Sequence, residues 1–196
     1  MRFIKFIFSL AITFLLIYLL DNRWVIQGNP IPPLGKFLDP FHGFWQNIES
    51  PPANSMTMDV PGLKDKVTVV FDSLDTPHIF ASNDEDLYFA QGYITATHRL
   101  WQMEFQTHAA AGRVSEITGR GKNDVLLNYD RNQRRRGMVY GAENTVEMVN
   151  KNTTSKMMVE QYTAGVNAYI STLQYKSLPF EYKLLNYHPE PWTSLK

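Results

Sequence analysis

From Asp84 onward the chain carries two apolar stripes at helical spacing, a pattern that an isolated amphipathic helix on a protein surface does not use. Leu87, Ala90, Ile94, Trp101 and Phe105 form one stripe; Phe89, Tyr93, Leu100 and Met103 form the second. A helix that is apolar on two sides has to be covered on two sides, so it belongs inside a layered structure. Asn83 is placed to cap its first turn, and Asp84, Glu85 and Asp86 set negative charge against the positive end of the helix dipole. Gly92 marks either a close approach of another helix or a kink between two shorter ones.

The residues before this helix read as a strand pair. Val67–Phe71 is β-branched and aromatic, residues 74–77 form a turn, and residues 79–81 return as a second strand. Beyond Gly119 and Gly121 helical spacing resumes over residues 124–136, 138–149 and 155–173. The last of these presents Met158, Tyr162, Val166, Tyr169 and Leu173 on one face, and Pro179, Pro189 and Pro191 close the helical region. The fold class expected is α+β, mostly helical, with a short strand pair near the start.

The N-terminus has a separate character. Arg2 and Lys5 precede an uncharged apolar run over residues 6–20, which Asp21 closes. The run lies between the length of a signal-peptide core and the roughly 20 residues of a comfortable membrane span. No small-x-small cleavage site follows it, which favours an uncleaved anchor over an exported, soluble product of signal cleavage. The basic residues would hold the short N-terminus in the cytoplasm and place the body outside, in the periplasm. Residues 1–22 are therefore expected to anchor or export the chain, and residues 23–61 to form a proline-rich linker containing Pro30, Pro32, Pro33, Pro40, Pro51 and Pro52. The aromatic cluster Phe37, Phe41, Phe44 and Trp45 is too apolar for a solvated tether. It is expected to dock on the folded body in preference to lying on a membrane.

Charge and composition exclude several functions. The 19 basic and 19 acidic residues cancel, leaving no global field to attract nucleic acid, which is not expected as a partner. With no cysteine there is neither a thiolate nucleophile nor a cysteine zinc site. The chain contains no Gly-x-Ser-x-Gly elbow, His-Glu-x-x-His motif or phosphate-binding glycine loop. His42, His78, His98, His108 and His188 are scattered without metal-ligand spacing and read as structural or exposed. Arg131, Arg134, Arg135 and Arg136 read as a solvated or ion-paired helix face.

The ordered blocks between residues 67 and 119 resemble the penicillin acylase family of N-terminal nucleophile hydrolases. They are Asp72, then Pro77-His78-Ile79, then Gly92-Tyr93, then Arg-Leu-x-Gln-Met-Glu over residues 99–104, then Gly-Arg-x-x-Glu-x-x-Gly over residues 112–119. The resemblance runs roughly from Met56 to Trp192, so residues 62–196 are expected to be a partial α-chain domain, truncated at its C-terminus, of an αββα enzyme. Asp75 stands where the family has Gly, His98 where it commonly has Asp, and Thr107 and His108 where an arginine pair often follows.

The resemblance implies a precursor that cuts itself and exposes a catalytic serine at the start of a β chain, here downstream of Lys196. No catalytic, cofactor-binding or metal-ligating residue is then expected within this chain. Its partners would be the β portion of the same precursor, a small N-acyl substrate, and the membrane through the N-terminal segment. In some members a glutamate of the α portion helps bind calcium, but that position follows the Pro-x-x-Trp block, here residues 189–192. His78, Arg99, Gln102, Glu104, Arg113 and Glu116 are the candidate architectural residues. The resemblance also points to bacteria, which makes the Asn152-Thr153-Thr154 sequon a chance match.

Overall fold

The computed structural model describes residues 2–48 and 55–196; Pro51 and Pro52 of the expected linker lie outside the described residues. In chain order the elements are α1 (Arg2–Asp21), β1 (Trp24–Ile26), β2 (Asn29–Ile31), α2 (Leu34–Leu38), a 3-10 turn (Phe44–Asn47), β3 (Ser55–Met58), β4 (Val67–Phe71) and β5 (Pro77–Phe80). Then follow α3 (Asp84–Ala111), α4 (Val114–Thr118), α5 (Val125–Arg135), α6 (Met138–Asn150), α7 (Thr153–Thr172) and α8 (Phe180–Leu185). They group into two units. One contains Met1–Ile48, Val114–Asn128 and Gln174–His188; the other contains Glu49–Arg113, Tyr129–Leu173 and Pro189–Lys196.

The second unit is built on an antiparallel sheet of order β3-β4-β5. The expected strand pair is β4 and β5, with Val69 opposite Ile79. β3 adds an edge strand, pairing Met58 with Val67 and Met56 with Val69. Its Ser-Met-Thr-Met sequence lacks the β-branched and aromatic run that announces a strand, and pairing with β4 supplies the order that propensity does not. Val67 and Val69 alternate inward along β4 and, with Met58, pack against Ala90 and Ile94 of α3. Burying each valine contributes roughly 1.5–3 kcal/mol.

Local hydrogen bonds explain both ends of the strand-to-helix passage. Asp72 accepts from the backbone N–H groups of Leu74 and Thr76 at 2.8 and 2.9 Å, closing the β4–β5 turn. Asp75 sits in that turn at φ 59°, the left-handed conformation that aspartate tolerates and glycine adopts freely. Asn83 accepts from the Asp86 N–H at 2.9 Å and so caps α3. Asp86 is buried, which raises its pKa, but hydrogen bonds from the Lys64 and Asp65 backbone and from Asn83 outweigh that effect and leave it below the usual carboxylate value.

α3 crosses α7 backbone to backbone. A Cβ on Gly92 would overlap the carbonyl of Tyr162, and one on Gly165 would overlap the carbonyl of Phe89. Gly92 is therefore a close helix contact. The kink falls at Arg99 instead, where φ is −139° and ψ is 20°. α3 ends at Gly112, in the left-handed region at φ 67°, with the Arg113 N–H donating to the His108 carbonyl. Asn152 caps α7 by accepting from the Ser155 N–H at 2.9 Å.

In the first unit, α1 carries an apolar stretch, Phe3–Asp21, with mean hydropathy 2.4 and no buried residue; by length and composition it can cross a membrane. The proline-rich stretch after it contains regular structure: β1 and β2 form a hairpin through Gln27 and Gly28, both at positive φ. Phe37 and Phe44 stack on each other and contact Phe180 of α8, whereas Phe41 and Trp45 remain exposed. Beneath them lies a fully buried lysine. Lys183 Nζ donates to the Gly43 carbonyl at 2.9 Å, to Asn47 Oδ1 at 2.7 Å and to the Lys176 carbonyl at 2.9 Å, satisfying all three of its protons. Burial lowers its pKa from the ordinary lysine value.

Candidate functional site: a charged seat at the end of α3

Past the Arg99 kink, Glu104 and His108 lie one helical turn apart and both are buried. Neither is left unsatisfied. Glu104 Oε1 accepts the backbone N–H of Glu190 at 2.8 Å. His108 Nδ1 lies 3.0 Å from the Glu104 backbone carbonyl, which can only accept, so Nδ1 carries the proton. His108 Nε2 then faces Glu190 Oε2 at 3.8 Å.

The Glu190 carboxylate is the centre of the arrangement. Arg113, held just beyond the Gly112 cap, forks onto it with Nη2 to Oε1 at 2.7 Å and Nη1 to Oε2 at 3.1 Å. Lys196 Nζ reaches Oε2 at 3.1 Å and stands 3.9 Å from Glu104 Oε1. The Arg113 guanidinium, resisted by burial and assisted by Lys196, holds the Glu190 carboxyl down at about 2 from an ordinary 4.5. Two residues further on, Trp192 is clasped to α7: its N–H donates to Asn167 Oδ1 at 2.8 Å, and Asn167 Nδ2 donates to its carbonyl at 2.9 Å. Residues 190–192 are thus seated on α3 and α7 through backbone groups. Beside this seat is a cavity of about 740 Å³ with Met138, Val139, Pro191 and Leu195 on its apolar side and His108, Arg113 and Glu190 on its polar side.

Among the described residues, Glu104, His108 and Glu190 are the group of acidic and histidine side chains whose ligand atoms come within 4.8 Å of one another. Calcium, which takes six to eight oxygen ligands, does not suit this set. One donor is an imidazole nitrogen, and both Glu190 oxygens already face cations. The site's chemistry is to hold a chain segment in place.

The six candidate residues do not converge. Glu104 and Arg113 meet at the seat. Arg99 and Gln102 pair with each other at 3.2 Å on an exposed face of α3, beside a separate open hollow that also includes Asp75 and His98. His78 is exposed on β5, with Nε2 3.5 Å from Asp72 Oδ2, and Glu116 is exposed on α4. From sequence His108 reads as a structural or exposed histidine and a departure from the family pattern, and Glu190 is not singled out. The four-residue spacing of Glu104 and His108 is the sequence signal for His108; Glu190 offers none, since Arg113 and Glu104, which fix its side chain and its backbone, lie 77 and 86 residues away. Of the basic cluster, Arg134 donates through Nε to the Gly112 carbonyl at 2.8 Å, reinforcing the end of α3.

Residues 66–196 match the model of the penicillin amidase family. The chain is 37% identical over 143 residues to penicillin acylase 2 proenzyme from a Pseudomonas species, an alignment covering 72% of this chain and 17% of that protein. It is 32% identical over 144 residues to the acyl-homoserine lactone acylase QuiP of Pseudomonas aeruginosa, covering 74% of this chain and 16% of that protein. The chain thus spans 16–17% of the length of these relatives. Among solved structures it is similar to the thermostable penicillin G acylase of Alcaligenes faecalis, with a TM-score of 0.59, 28% identity and coverage of 66% of each chain.

Proposed function

The chain belongs to the penicillin amidase family, and from that premise we propose that it is the N-terminal, α-type scaffold of an amidohydrolase that removes an acyl group from an amide. The nucleophile in this reading is a serine downstream of Lys196, exposed by self-cleavage of a precursor. Its hydroxyl attacks the amide carbonyl while its own α-amine takes the proton; an α-amine titrates at roughly 7.7–8.0 and so is partly unprotonated near neutrality. Penicillins and acyl-homoserine lactones are the substrate classes named for the relatives. The α1 segment directs the body out of the cytoplasm and remains as its anchor.

One observation supports the scaffold role above the others. The polar groups gathered at the end of α3 are spent on one another: buried Glu104 and half-buried Arg113 and Glu190 hold a chain segment and leave no activated nucleophile among themselves. The departures at residues 107 and 108 are absorbed structurally, since Thr107 Oγ1 donates to the Glu104 carbonyl and His108 is buried and bonded. They therefore lend little weight to a non-catalytic relative acting as a tethered binding protein.

Expressing the full gene product separates the two readings. Self-processing gives two chains on a denaturing gel, the second beginning with serine, and exchange of that serine for alanine leaves one inactive chain. A single chain with no acylase activity in the unaltered protein would favour the binding protein.

A further inference from the structure

The end of α1 is built into folded structure. Trp24 Nε1 donates to the Leu19 carbonyl at 2.9 Å, Asn22 Nδ2 donates to the Tyr18 carbonyl at 2.7 Å, and the Tyr18 and Trp24 rings meet edge-on at 6.0 Å. Two carbonyls of the last turn, which have no partner within the helix, are satisfied without water, as a low-dielectric boundary demands. Trp24 is paired across the hairpin with Ile31, and α2 lies against the end of α1, where a Cβ on Gly35 would stand 3.0 Å from Asp21 Oδ1. The hairpin and α2 are therefore held at the level where α1 ends.

These elements leave large apolar side chains uncovered. Val25 is 67% exposed, Ile26 57%, Leu38 47% and Phe41 75%. They lie on the hairpin, on α2 and just after it, the segments that follow α1 directly in the chain, and tyrosine and tryptophan at the exit of α1 are the residues that favour a membrane–water interface. We propose that Trp24, Val25, Ile26, Leu38 and Phe41 form an interfacial collar that enters the headgroup region of a lipid bilayer, giving the protein a second membrane contact beside α1. The proposal rests on the reading of α1 as a retained anchor. Its occupant is lipid, because the hairpin is fastened to the end of a helix long and apolar enough to cross a membrane, and α2 lies against that same end. The collar would sit roughly 5–10 Å into the interface, too shallow to span but deep enough to fix the orientation of the first unit.

The chain contains no cysteine, so once any cysteines downstream of it are replaced by serine, single cysteines can be placed in the full gene product without background. Ile12→Cys probes α1, Val25→Cys and Phe41→Cys probe the collar, and Leu74→Cys, 84% exposed on the β4–β5 turn, serves as the water-facing control. Each variant is labelled with an environment-sensitive fluorophore in phosphatidylcholine–phosphatidylglycerol vesicles and challenged with lipid-attached nitroxide and with iodide. Lipid quenching at positions 12, 25 and 41, together with several-fold protection of 25 and 41 from iodide relative to 74, is the expected result. Lipid quenching at 12 with iodide access at 25 and 41 equal to that at 74 overturns the collar and leaves the anchor standing. No lipid quenching at 12 removes the anchor, and the collar with it. Protection of 25 and 41 from both quenchers means that protein covers the patch, and this also overturns the proposal.

Discussion

Glu190 and Arg113 meet through two parallel hydrogen bonds, Oε1 to Nη2 at 2.7 Å and Oε2 to Nη1 at 3.1 Å, across 77 residues of sequence. A fork of this kind fixes direction as well as distance, so it sets where residues 189–196 lie on α3. Lysine in place of Arg113 would keep the charge and lose that geometry.

Glu190→Gln is expected to destabilise the protein by about 2 kcal/mol at pH 7, after allowance for solvent screening of a partly exposed group. The folded carboxyl is held at about 2 against an ordinary 4.5. Its contribution is therefore complete above pH 4.5 and is lost as the pH falls toward 2. Urea unfolding of both proteins at pH 7 and near pH 2 should show the gap closing at the lower pH; a gap independent of pH would assign the effect to packing.

Gly165→Ala should cost about 1–3 kcal/mol or more, because the new methyl overlaps the Phe89 carbonyl and two backbones must separate to admit it. Gly92→Ala should behave alike against Tyr162. Gly141, within α6, has nothing within 4 Å of a prospective Cβ, so Gly141→Ala should stabilise by about 0.5–1 kcal/mol. Melting temperatures should fall for Gly165→Ala and Gly92→Ala and rise for Gly141→Ala.

Lys183→Met fills similar volume but strands three acceptors: the Gly43 and Lys176 carbonyls and Asn47 Oδ1. A loss of about 1–3 kcal/mol per unsatisfied buried group is the scale to expect, less whatever water recovers. Hydrogen exchange at residues 44–47 should accelerate in this variant, while β4 keeps its protection.

Asn83→Ala removes the cap of α3 and one of the hydrogen bonds that Asp86 receives. A loss of about 1 kcal/mol is expected from the cap alone. Asn83→Asp should recover part of it, less the repulsion from Asp86, a comparison that chemical denaturation resolves.

The elements legible in the sequence are those whose cause is local. Asn83 reads as a cap because its side chain reaches an amide three residues on, and it does so. Asp75 stands where the family has Gly, and it takes the left-handed conformation at φ 59° that this position requires. The strand pair and the doubly apolar helix followed from side-chain periodicity, and the ordered family blocks carried the resemblance. Less legible was the role of Gly92, for which contact and kink were equally open until α7 was seen against it.

What the sequence determined by itself was the period of its apolar residues, the caps and turns written within four or five positions, the apolar N-terminal stretch and the family. Only the tertiary structure decided that β3 joins the sheet, that the kink lies at Arg99, and that Glu104, His108, Arg113 and Glu190 share one site. The reason is physical: hydrophobic spacing and capping act between neighbours in the chain, whereas a buried charge acquires its partner only when distant segments are desolvated together. Glu104 and Glu190 are 86 residues apart in sequence, and it is the close crossing of α3 and α7 that gives them common ground.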